Sequence, residues 1–138
     1  MTQSSTNSIR SNSIPTRKGR SIASWALRAL LGAVFLAAGG AKIAGLPMMV
    51  EIFDQIGLGQ GFRYVTGFVE VVGAIGLFVP GMTLVAALWL GATMAGGILT
   101  HLLVLPTSPV PAIVLFGLCA VLAWLHRDQA VALKNRLA

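Results

Sequence analysis

Apolar residues in this chain gather into four long runs, 22–46, 62–79, 82–105 and 109–125, separated by short polar or proline-bearing breaks. Each run is long enough, or nearly so, to cross a hydrocarbon core of about 30 Å as a helix rising about 1.5 Å per residue. The breaks fall at Leu46-Pro47, at Val79-Pro80-Gly81 and at the cluster of Pro106, Pro109 and Pro111. Proline cannot continue a helix and restricts the residue before it, so these positions punctuate the helices. The fourth run is short. Its helix is expected to continue through His126 to Leu137, because Ala130, Val131, Leu133 and Leu137 recur on one face while Arg127, Lys134 and Arg136 stay polar.

The segment between the first two runs has a different pattern. Met48, Met49, Ile52, Phe53 and Ile56 fall on one face of a short helix, and Glu51, Asp54 and Gln55 fall on another. Such a helix is expected to lie on the outer membrane surface and close the bundle, with a lid or docking surface as the alternative. Gly57, Gly59 and Gly61 then let the chain turn into the second run. Ala29, Ala33, Ala37, Ala41 and Gly45 recur every four residues in the first run, and Gly73, Gly76, Gly91, Gly96 and Gly97 lie in the next two. Small residues let helix backbones approach closely, which predicts packing within one subunit and leaves a homo-oligomer open.

Composition sets the class. With 56% hydrophobic and only 10% charged residues over 138 positions, the chain is too apolar for an ordinary soluble domain. The expected fold is all-α, an integral membrane four-helix bundle spanning residues 21–126. A disordered basic tail is expected over 1–20 and a cytoplasmic helical tail over 127–138. Arg10, Arg17, Lys18 and Arg20 precede the first span, Arg127, Lys134 and Arg136 follow the last, and Glu51 and Asp54 lie between the first two. By the positive-inside rule both termini are cytoplasmic, which requires an even number of spans. The net charge of +6 is thereby assigned to topology and the anionic inner leaflet, and nucleic acid is not an expected partner. A cleaved signal peptide ending near Ala37 to Ala41 is the rival reading of the first run; Arg28 interrupts the apolar stretch, so a retained helix is preferred.

Several chemistries drop out. Cys119 is the sole cysteine, so neither disulfide exchange nor a thiolate metal cluster is available. His101 and His126 belong to opposite ends of the bundle, which rules out a haem clamped between them. The glycines lie inside apolar helices and form no phosphate-binding loop. No metal site is expected.

The ionisable residues inside apolar runs remain as candidates, because a charge there is costly and marks a functional site by default. Lys42 lies about 6 Å inside the outer end of the first span, His101 is level with it on the third, and Glu70 lies about 12 Å deep on the second. Arg63 sits two turns above Glu70, where its stem can point down or snorkel outward. Glu70 should pair with Lys42, His101 or Arg63 or stay protonated, with Lys42 the preferred partner. Lys42, Glu70 and His101 are therefore expected to converge as a ligand-binding site with Arg63, or as an ion pair that only locks the helices together. Glu70 and His101 are the candidates for a catalytic role. Arg28, one turn after Trp25 near the cytoplasmic end, reads as an interface anchor, a cation stacked on Trp25 or a contact to an anionic headgroup. A faint echo between Ala38 to Lys42 and Ala95 to His101 suggests two parallel hairpins or chance similarity.

At these residues the chain resembles a known family. The stretch from Arg28 through Gly32, Phe35 and Gly39 to Lys42, then Gly67, Glu70, Gly73 and Gly76, then His101, is similar to the DoxX family of small bacterial membrane proteins. The resemblance covers about residues 22 to 125. It implies a four-helix bundle in the bacterial cytoplasmic membrane and, for some members, association with redox partners in oxidative-stress defence or with quinone-linked oxidoreduction. It assigns no catalytic role to Arg28, Lys42, Glu70 or His101. The expected function is an accessory or anchoring subunit of a membrane redox system. Its partners would be the lipid bilayer and a redox enzyme, and a quinone would be the candidate cofactor, with nothing held covalently. A stand-alone quinone-linked oxidoreductase and a small transporter are the alternatives.

Overall fold

A computed structural model describes residues 17–138, so the tail expected to be disordered lies, over 1–16, outside the described residues. Among the described residues there are six helices: α1 (Arg17–Ala44), α2 (Pro47–Ile56), α3 (Gln60–Gly76), α4 (Thr83–Leu103), α5 (Val110–Leu125) and α6 (Asp128–Leu137). The breaks sit where the punctuation placed them. Pro47 occupies the first turn of α2, where its missing N–H costs nothing. Gly45, Gly57, Gly59 and Gly81 adopt positive φ at the turns.

Two helices, α1 and α4, are long and apolar enough to cross a membrane, and a third span arises if α5 and α6 are counted together. α3 and α5, at 17 and 16 residues, fall short of that length. The expected continuation of the fourth helix through His126 does not occur. The chain bends by 64° between α5 and α6. The carbonyls freed at the break find other donors: Arg20 donates to the Leu125 carbonyl through both Nε (3.1 Å) and Nη2, and Arg127 donates to that of Trp124 at 2.9 Å. Arg20 itself belongs to α1, which starts inside the stretch read from sequence as tail.

Packing proceeds between neighbours: α1 against α3, α3 against α4, α4 against α5, and α5 back against α1, with α2 on α3 and α1. Residue pairings such as Gly39 with Gly67, Gly73 with Leu90 and Gly91 with Cys119 make the first three of these contacts antiparallel. The core is apolar and small, centred on Leu31, Phe35, Leu77, Leu90 and Leu122, each no more than 1% exposed. The outside is apolar too. Phe68, Leu88, Leu102, Leu103 and Trp124 are each more than half exposed, an arrangement that suits lipid as solvent and would be an aggregation surface in water.

The alanine stripe does not make the helix contact expected of it. Ala29, Ala33 and Ala37 are exposed, whereas the buried face of α1 runs through Ser24, Arg28, Leu31, Gly32, Phe35 and Gly39. Among the glycines, Gly73 and Gly76 sit at close crossings with α4, while Gly96 has open space around it. Gly39 and Gly96, which correspond in the internal echo, thus do different jobs.

Candidate functional site

α1 and α3 form an antiparallel pair held at three levels. At the middle level Gly39 and Gly67 face each other: a Cβ on Gly39 would lie 2.8 Å from the Gly67 carbonyl oxygen, and one on Gly67 would lie 2.9 Å from that of Gly39. The backbones can meet there only because both side chains are hydrogen.

Across this same contact, the Lys42 ammonium donates to both oxygens of Glu70, at 2.8 Å and 3.1 Å. The pair is well shielded, with the Lys42 side chain 15% and the Glu70 side chain 4% exposed. A lone carboxylate in such a place would be expensive, and the bifurcated ammonium contact offsets that cost. The third member expected there is elsewhere. His101 is half-buried at the last turn of α4, and its Nδ1 lies 2.8 Å from the Thr107 hydroxyl. Because α4 packs against α3 and α5, its last turn lies at the connection to α5. Among the described residues, no hydrogen bond or ion pair joins His101 to Lys42 or Glu70.

Arg63 neither points down to Glu70 nor snorkels outward. It is 4% exposed and runs sideways, donating from Nη1 to the Lys42 carbonyl and from Nε to Gln60 Oε1 at 2.6 Å, with its guanidinium over the Tyr64 ring at 4.3 Å. It therefore caps the C-terminal turn of α1, where unpaired carbonyls and the helix dipole both favour a cation. Gln60 extends the network, donating to the Val50 carbonyl at 3.0 Å and to Asp54 at 2.6 Å. That ties α2 to the same cluster, helped by Phe53 packing on Phe62 at 5.9 Å. Gln60 escaped the sequence reading because a polar residue at a helix start looks like ordinary solvated loop.

Arg28 does at the other end of the pair what Arg63 does here. It is 8% exposed, donates from Nε to the Leu77 carbonyl at 2.6 Å, and stacks on Trp25 at 4.1 Å and Phe78 at 5.8 Å. Leu77 follows the last residue of α3, so α1 caps α3 while α3 caps α1. Thr83 Oγ1 donates to the same carbonyl at 3.3 Å.

A model of the DoxX-like family matches residues 26–125, most of the chain and all five of these ionisable positions. The chain belongs to the DoxX-like family. No curated protein and no solved structure matches it. Family membership together with the apolar helices makes this a membrane protein, and within the matched region Arg28, Lys42, Arg63 and Glu70 form the polar framework of the α1–α3 pair.

Near the Arg28 end a further polar group lies on elements the sequence reading left aside. The Ser24 hydroxyl is 2.6 Å from His126 Nε2, Arg20 Nη2 is 3.3 Å from Asp128, and the Leu84 N–H at the start of α4 donates to Gln129 at 2.9 Å. These contacts dock the start of α6 onto α1 and α4. His126 titrates below the ordinary histidine range because burial disfavours its charged form and because Arg28 and Arg20 repel it, against a smaller pull upward from Asp128. His126 and Ser24 were legible only as helix-end residues; their pairing needs the fold.

Proposed function

We propose that this chain is an accessory or anchoring subunit of a membrane redox system, a four-helix bundle with both termini on the cytoplasmic side. The contacts of α1, α3, α4 and α5 with one another support the bundle reading, with the shorter α3 and α5 tolerated by local thinning and flanking anchors. The excess of Arg and Lys at both chain ends supports the orientation. In that orientation α2 lies on the outer face and the Lys42–Glu70 pair in the outer half of the membrane.

One observation carries the accessory reading over a stand-alone enzyme. The charges embedded in α1 and α3 have structural partners: Glu70 has Lys42, Arg63 holds the end of α1, and Arg28 holds the end of α3 through its Nε. A general acid or base must face a space that substrate can enter. Two cavities formed by the described residues, one between α4 and α6 and one at the Arg28 end, both lie away from Glu70. A rigid polar frame inside a largely apolar exterior suits a chain whose task is to hold a partner in the membrane, with a quinone as the small molecule such a partner would share.

Purification at native expression level in a mild detergent tests this. Co-isolation of an oxidoreductase, with or without an extractable quinone, is expected. Isolation of a chain free of protein partners and quinone would overturn it, and quinone turnover by the isolated chain, lost in Glu70→Gln, would replace it with the enzyme reading.

A further inference from the structure

At the Arg28 end, α1, α5 and the start of α6 border an open cavity of about 340 Å³ lined by Arg20, Ser24, Trp25, Arg28, His126 and Gln129 among others. Its size is at the lower end of small-ligand sites and suits a headgroup. The cavity's charge is unbalanced. Arg20 is taken up by the Leu125 carbonyl and by Asp128 at 3.3 Å, the one carboxylate of the lining. Arg28 has no carboxylate partner. Only its Nε is used, on the Leu77 carbonyl, and its two terminal nitrogens carry no hydrogen bond to any described residue. Neither is fully buried, since no fully buried side-chain nitrogen lacks a partner among the described residues, and Arg28 lines the cavity. With Trp25 covering one face of the guanidinium at 4.1 Å, its free edge is the donor fork that remains.

A nine-tenths buried guanidinium with an unused fork beside a second arginine calls for an anion that accepts two parallel hydrogen bonds, as phosphate oxygens do. The cavity's surroundings specify the kind of phosphate. Trp25 in the lining, and Ile22 and Trp124 next in sequence to the lining residues Ser21 and Leu125, are each more than half exposed, and acyl chains can lie on them once the headgroup is seated. Beyond the accessory role, we propose that this cavity is a binding site for the phosphate of an anionic phospholipid, held by the Arg28 fork with Arg20, Ser24 and His126 around it. Basic pockets between helices near the membrane surface recognise such headgroups by the same chemistry. The anion neutralises Arg28 and fastens α1 to the α5–α6 corner, which the family match does not include at His126 and beyond.

The test is native mass spectrometry of the full chain from mixed micelles containing phosphatidylglycerol, phosphatidylcholine or neither, with and without millimolar inorganic phosphate. Retention of one phosphatidylglycerol per chain is expected, with phosphatidylcholine held about tenfold less well, because both lipids offer the same phosphodiester to the fork but the choline ammonium is repelled by Arg20 and Arg28. Ser24→Phe fills the cavity and keeps Arg28 itself, at the loss of the Ser24–His126 contact; Arg28→Lys keeps the charge and removes the fork. Each should lower retention about tenfold or more. Displacement of the lipid by inorganic phosphate would assign the site to soluble phosphate as well as lipid. Equal retention of the two lipids by the unaltered chain, or retention unchanged in whichever of the two variants folds, would overturn the proposal.

Discussion

Arg63 donates to the backbone carbonyl of Lys42, while the Lys42 ammonium reaches the other way to Glu70, so a single lysine joins a helix cap to a buried ion pair. The two arginines of the α1–α3 pair have equivalent roles at opposite ends, each from one helix to the C-terminus of the other. This reciprocity fixes how far the helices can slide. A slip of one turn, about 5.4 Å, would break both caps together.

Removing one member of the Lys42–Glu70 pair should cost far more than removing both. Lys42→Met leaves a buried carboxylate unpaired and is expected to destabilise the protein by about 3–5 kcal/mol, whereas Lys42→Met with Glu70→Leu should recover most of the loss. Thermal unfolding in detergent for the two singles and the double would check this. A double variant whose loss equals the sum of the two single losses would mean that the pair is uncoupled.

Gly39 and Gly67 should tolerate no side chain. With contacts of 2.8 Å and 2.9 Å to opposing carbonyl oxygens, alanine at either site must push the helices apart, at a cost of about 1–3 kcal/mol. Gly40, next to Gly39 but with nothing within 4 Å of a built Cβ, is the internal control. Gly40→Ala should leave the melting temperature unchanged or raise it slightly, since alanine is the better helix former.

Gly45 combines two constraints. Its φ of +71° is in the left-handed region, and a Cβ there would approach Arg63 Nη1 to 3.3 Å. Gly45→Ala is expected to cost about 1 kcal/mol or more from backbone strain alone. It should also disturb the Arg63 cap, so that Arg63→Ala adds less in the Gly45→Ala background than in the original chain, a coupling that a double-mutant cycle measures.

Acid should loosen the α5–α6 corner. His126 has its pKa depressed in the folded protein by burial and by Arg28 and Arg20. The unfolded chain then binds the proton more readily, so stability is fully present above the ordinary histidine value of about 6.5 and falls as pH drops through the lower folded value. Melting temperature followed from pH 8 down to pH 5 should decline below neutrality, and His126→Gln should flatten that part of the curve. A decline unaltered by the substitution would assign it to other groups.

Much of the architecture was legible from spacing alone. Helix positions followed from apolar runs cut by proline and glycine, because those two residues act locally, through φ and a missing donor, whatever the rest of the chain does. The pairing of Lys42 with Glu70 was also accessible, since depth along two adjacent helices can be counted at a fixed rise per residue. Rotation about each helix was not. The regular alanine stripe pointed to the wrong face of α1, because outside a lipid-exposed bundle small and large apolar residues are equally acceptable and periodicity loses its contrast. His101 was level with Lys42 by the same counting, yet it belongs to a helix that packs on α3 and α5.

The sequence by itself determined a membrane protein of the DoxX-like family, built from helices with a few costly charges at countable depths. Hydropathy and composition are sums over local residues, so no fold is needed to read them. Only the tertiary structure decided which carbonyl each arginine caps, that the last helix breaks after Leu125, and that Ser24, Arg28 and His126 meet around one cavity. Those facts depend on helix rotation and on contacts between residues about a hundred positions apart. Local pattern carries no information about either.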